Sequence, residues 1–141
     1  MSNTTDNVQQ EGWTKAFDDK SAASFANAFA NEIVLEAVVL MRPVEGIEQV
    51  KRVMAAASSI YEALTFTHKA TNGTRTYLEW EAKAFGAPRF FGVTVLSKNE
   101  AGKILRVAIH HRPLGAALRF SAELGTRLQG QVDRSYFYTD Q

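Results

Sequence analysis

Residues 63–83 read ALTFTHKATNGTRTYLEWEAK, and this stretch decides the fold. Leu64, Phe66, His68 and Ala70 alternate with Thr65, Thr67 and Lys69; further on, Leu78, Trp80 and Ala82 alternate with Glu79, Glu81 and Lys83. A period of two is that of a strand, whose successive side chains point to opposite faces. Asn72-Gly73 between the two runs is a hairpin signal, because both residues tolerate positive φ. The pattern predicts an antiparallel pair with one face buried and Glu79, Glu81 and Lys83 turned outward.

Moving toward the C-terminus, Ala87-Pro88 breaks the next connection and RFFGVTVLSK (89–98) reads as a third strand. NEAG (99–102) makes a turn into KILRVAIHHR (103–112), completing a four-strand meander, and Pro113 ends the pairing and can open a helix. That helix, Leu114 to about Leu128, places Leu114, Ala117, Leu118, Leu124 and Leu128 on one face, with Arg119, Glu123 and Arg127 opposite. The tail, 131–141, carries Tyr136, Phe137 and Tyr138 in succession. These aromatics are expected to pack on a neighbouring surface, a partner subunit being one candidate.

Toward the N-terminus, IVLEAVVLM (33–41) is rich in β-branched residues and predicts a buried strand, ended by RPVEG. Between it and the meander, Ile47, Val50, Val53, Met54, Ala57, Ile60 and Tyr61 recur at helical spacing. Trp13, Ala16 and Phe17, then Phe25, Ala28 and Phe29, predict two short helices, the second capped by Ser21 or Asp19. Residues 1–12 read as a flexible polar leader and 13–130 as one domain. Helices grouped around a run of antiparallel strands imply an α+β domain whose sheet is covered on one face.

The 141 residues suit a single domain, and 16 Lys plus Arg against 15 Asp plus Glu leave a formal charge of +1. No basic field exists to hold nucleic acid or an anionic membrane, so neither is an expected partner. The absence of cysteine rules out disulfides and thiolate nucleophiles and suits a cytoplasmic location. No leading segment resembles an export signal, and no apolar run is long enough to span a bilayer.

The order of elements, together with FANEIVLEAVVLMRPVEGIEQV (29–50), LEWEAKAFG (78–86) and GKILRVAIHHRP (102–113), resembles the nuclear transport factor 2-like (NTF2-like) superfamily, particularly its bacterial SnoaL-like members. The resemblance implies a cone: a curved antiparallel sheet wrapped around N-terminal helices, with a C-terminal helix, a pocket inside, and a homodimer formed through the sheet's outer face. It also implies a range of chemistries, from ketosteroid isomerases to epoxide hydrolases, dehydratases and polyketide cyclases, among which a fold does not choose.

The three histidines bear on that choice. On 103–112, alternation puts Leu105, Val107, Ile109 and His111 on one side and Ile104, Arg106, Ala108 and His110 on the other, so adjacent His110 and His111 cannot both chelate one ion. The more apolar set should face the helices, making His111 inward and His110 outward. The inward set then offers His68, His111 and at most one acid, short of the three or four ligands a metal site needs; no metal and no cofactor is expected. The isomerase base corresponds to Ala37, with Glu36 on the opposite face, and the epoxide hydrolase Arg and Asp correspond to Trp80 and Ala82. Neither reaction transfers.

Two readings remain open. In one, a mostly apolar pocket lined by Phe17, Tyr61, Phe66, Leu78, Trp80, Val107 and Ile109 binds a small hydrophobic carbonyl compound. In its enzymatic variant, a cofactor-independent lyase, isomerase or polyketide cyclase, His68 acts as acid/base with His111 or Asp18 as partner, histidine being suited to proton transfer near neutrality. In the other, the cavity is filled by its own side chains, His68 is a core histidine bonded to a carbonyl or to Tyr61, and the chain is a non-catalytic dimeric interaction domain.

Overall fold

The computed structural model describes residues 12–86 and 89–139. The expected leader, apart from Gly12, and the Ala87-Pro88 break lie outside them. Two helices open the described chain, α1 (Gly12–Asp19) and α2 (Ala22–Ala28). Ser21 is the cap of α2: its hydroxyl accepts from the Ser24 amide at 3.2 Å, and Asp19 instead receives the Ser24 hydroxyl at 2.9 Å. The helix stops one residue earlier than its apolar spacing suggests. Phe29 takes extended geometry and starts β1 (Phe29–Ala37), where it pairs with Ile104.

The first strand therefore begins and ends about four residues before the predicted Ile33–Met41. Its continuation folds over: the Leu40 amide donates to Ala37 O at 3.0 Å, and the Ser121 hydroxyl donates to Val39 O at 2.5 Å. This turn buries Val39 and Leu40 and leaves Val38 and Met41 exposed. A two-residue strand unforeseen in the sequence, β2 (Val44–Glu45), pairs back on β1. Helix α3 (Ile47–Ile60) then buries Val50, Val53, Met54, Ala57 and Ile60, the i, i+3, i+4 stripe of its sequence.

The meander comprises β3 (Ala63–Asn72), β4 (Arg75–Lys83), β5 (Arg89–Lys98) and β6 (Ile104–Arg112). Asn72 pairs with Arg75, so the hairpin loop is Gly73-Thr74, one residue beyond the Asn-Gly expectation, with Gly73 at φ +62°. The strands are ordered β2-β1-β6-β5-β4-β3. The sheet is mixed rather than wholly antiparallel: β6 returns alongside β1 and runs parallel to it. Meander connections are short and force antiparallel neighbours, whereas the long excursion through α3 and β3–β5 leaves β1 and β6 free to run the same way.

Helix α4 (Leu114–Arg127) closes the concave side with Ala117, Phe120, Ser121 and Leu124, followed by Leu128. Leu114, expected on this face, is exposed, and Phe120 occupies the centre of the contact. The tail packs on its own chain. Phe137 is buried against Gly125, the Met41 amide donates to Tyr136 O at 2.8 Å, and the Arg42 guanidinium lies 3.8 Å from the Tyr136 ring centroid. The Tyr138 amide donates to the Ser121 hydroxyl at 2.8 Å, tying tail, α4 and the β1 turn into one network. Among the described residues no helix is long and apolar enough to cross a membrane.

Candidate functional site

Pairing across four strands aligns Phe66, Trp80, Gly92 and His111 in one row on the concave face. Directly opposed residues share a face, so this row is the floor of the cone. The Trp80 indole lies across β5 because Gly92 has no side chain: a Cβ there would sit 2.2 Å from Trp80 Cζ2. The ring is fixed in place by its N–H, which donates to the Thr94 hydroxyl at 3.0 Å.

His111 stands beyond that ring. Its imidazole stacks on Phe90 with centroids 5.3 Å apart, meets Trp80 edge-on at 5.6 Å and lies 6.1 Å from Phe120. Burial, aided by the neighbouring His110 and opposed by the backbone of Ile109, pulls its pKa down to about 3. The ring is therefore neutral at physiological pH. Its Nδ1 is buried without a hydrogen-bond partner. Burial likewise pushes the Tyr61 hydroxyl above its usual range, so it stays protonated.

These groups border a partly open cavity whose wall is otherwise almost wholly hydrocarbon and aromatic, with Phe17, Met54, Tyr61, Phe66 and Ile109 among its lining residues. The cavity volume open to a water's centre is only about 20 Å³. The cone is thus close to filled, with room for roughly one water-sized molecule unless side chains move. Trp13 enters from the helical side. It is 0% exposed, it packs on Phe17, Phe25 and Phe29, and its indole Nε1 has no acceptor among the described residues. A buried donor left without a partner costs about 1–3 kcal/mol. Trp13 and His111, which each carry an unpartnered buried nitrogen among the described residues, line the same cavity.

The other expected site residues fall elsewhere. His68 does not reach the cavity; its side chain is 74% exposed and its Nδ1 lies 3.2 Å from a Glu79 carboxylate oxygen. The reason is a β-bulge. Phe66 pairs with Trp80 and His68 with Glu79, so Thr67 is an extra residue that reverses the alternation and turns His68 outward. Asp18 is exposed and borders a separate surface depression of about 160 Å³. Phe17, Tyr61, Leu64 and Phe66 are common to both spaces and form the partition between them. His68, His111 and Asp18 are therefore not brought together. Leu78 and Val107 are fully buried but pack away from the cavity, whereas Ala37 lines it and Glu36 faces outward, ion-paired with Arg106. Among the described residues no group of three or more His, Asp or Glu side chains is placed to hold a metal.

No family model matches the sequence, and none of the curated proteins matches it. Solved structures do. One is an uncharacterised protein with a cystatin-like fold from Silicibacter pomeroyi: TM-score 0.78, 15% identity, 83% of this chain and 82% of that one covered. The chain has the NTF2-like, or cystatin-like, fold. Two further structures with this NTF2-like architecture are a steroid delta-isomerase from Pseudomonas aeruginosa and a hypothetical protein with a ketosteroid isomerase-like fold from Catenulispora acidiphila in complex with trimethylamine. The first has TM-score 0.75 and 17% identity over 82% of this chain and 85% of that one. The second has TM-score 0.62 and 19% identity over 78% and 88%. At such identities the NTF2-like fold is shared and site chemistry must be read from this chain's own residues.

Sequence reading overlooked Trp13, Thr94 and Phe120 as cavity residues, and Phe90 as the ring that stacks on His111. Trp13 carried a usable signal, its helical spacing with Ala16 and Phe17. Phe90 carried none, since both faces of β5 present apolar side chains.

Proposed function

We propose that this protein binds a small, mostly apolar molecule bearing one polar atom inside the cone, and does so without catalysing proton transfer. The observation that carries this is the unpartnered Nδ1 of His111 in an otherwise apolar cavity. A neutral imidazole can donate or accept one hydrogen bond there, which fits the few convergent polar groups typical of small-molecule sites. Binding is favoured over acid/base chemistry by the placement of its neighbours. Among the described residues no carboxylate lines the cavity, and an imidazole whose pKa is about 3 is a weak base at neutral pH. The aromatic wall suits the ring or methyl groups of such a ligand, as the trimethylamine bound by the Catenulispora relative illustrates for that protein. The limited free space points to a molecule of few heavy atoms, admitted as the Phe17–Phe66 partition shifts.

The test compares cyclohexanone with its hydrocarbon isostere methylenecyclohexane at neutral pH, by melting temperature and calorimetry. Cyclohexanone is expected to raise the melting temperature more, since a ligand that binds only the folded state stabilises it by mass action. In His111→Phe the gap between the two compounds should narrow. Failure of cyclohexanone to bind the wild-type chain overturns the proposal.

A further inference from the structure

We infer that the Trp13 indole N–H is a second polar contact for the ligand, and that it restricts the ligand's polar atom to a hydrogen-bond acceptor such as a carbonyl or ether oxygen. The inference rests on the proposed binding reading and deepens it. Trp13 borders the cavity, is wholly buried, and its Nε1 meets no acceptor among the described residues. Trp80, the other tryptophan, has its N–H satisfied by Thr94. The chain thus holds one indole donor matched internally and one left open beside the same space.

The two open groups differ in what they accept. His111 can present its Nδ1 as donor or acceptor depending on tautomer, so alone it does not separate an alcohol or amine from a ketone. An indole N–H only donates. A ligand atom placed against it must carry a lone pair, which admits a carbonyl, ether or hydroxyl oxygen and rejects a protonated amine. Discrimination of this kind comes from the penalty on a mismatched ligand, which leaves the buried donor unmet.

The experiment is an NMR titration of the indole ¹H–¹⁵N signals of the full chain with cyclohexanone and methylenecyclohexane, with melting temperature followed in parallel. Two indole signals are expected, assigned by Trp13→Phe and, should that variant not fold, by elimination in Trp80→Phe. Support is a downfield move and slowed exchange of the Trp13 signal with cyclohexanone, larger than any move at Trp80, and no comparable change with methylenecyclohexane. A rise in melting temperature with cyclohexanone while the Trp13 signal stays in place, or equal moves with both compounds, overturns the role of Trp13 and leaves the cavity-binding reading intact. No response in either measurement overturns both.

Discussion

Strands β3 and β6 each place a histidine after an alternating apolar run, yet His68 stands in solvent beside Glu79 while His111 is enclosed by three aromatic rings. Both strands contain an irregularity. On β6 it falls at Leu105, ahead of the histidines: Ser97 pairs with Arg106 and Lys98 with Ile104, so Ile104 turns inward and the alternation from Val107 to His111 runs undisturbed. On β3 it falls at Thr67, between the last inward aromatic and the histidine. One extra residue separates a ring held neutral in the core from one on the surface. The position of a bulge, more than residue type, decides what a strand histidine can do.

The contrast extends to stability. Phe90, on the β6 side, is buried against Tyr61, Trp80, His111 and Phe120, whereas Phe66 on the edge strand is half-buried at the partition. Phe90→Ala should therefore destabilise the fold by about 3–5 kcal/mol and Phe66→Ala by clearly less, measured by urea unfolding. Equal losses would mean that the edge strand contributes as fully to the core as the centre does.

Burial also links His111 to pH. The unfolded chain's imidazole titrates near 6.5, while folded His111 resists protonation until about pH 3. Between these values the unfolded state binds a proton that the folded state does not. The stability His111 confers is thus full above pH 6.5 and is lost as pH falls through the window, at up to ~1.4 kcal/mol per pH unit. His111→Leu should flatten this part of the acid profile relative to wild type. Unfolding midpoints at a series of pH values decide the matter.

The smallest effect belongs to the exposed His68–Glu79 pair. A double-mutant cycle with His68→Gln and Glu79→Gln should return a coupling below about 1 kcal/mol that shrinks with added salt. A larger, salt-insensitive coupling would signal that this face is covered.

The α+β architecture, the meander, α3 and the inward placement of His111 were legible because each rests on a period repeated several times over. The site was legible only in part. Alternation carried correctly from Leu64 to Phe66 and failed at the next step, because nothing in TFTHKA marks Thr67 as the extra residue. On β5 the outward side chains Phe91, Val93 and Val95 are more apolar than the inward Gly92 and Thr94, so hydrophobicity alone would turn that strand over. Trp13 and Phe120 come from helices whose spacing marks a buried face without naming what it faces.

The bare backbone at Gly92 carries a last implication. A chain that grew a side chain there would have to trim the ring at position 80, and one that trimmed the ring would open a chamber floored by main chain. The two positions behave as a single adjustable unit. Capacity in this architecture can therefore be widened or closed without altering the girth of the sheet.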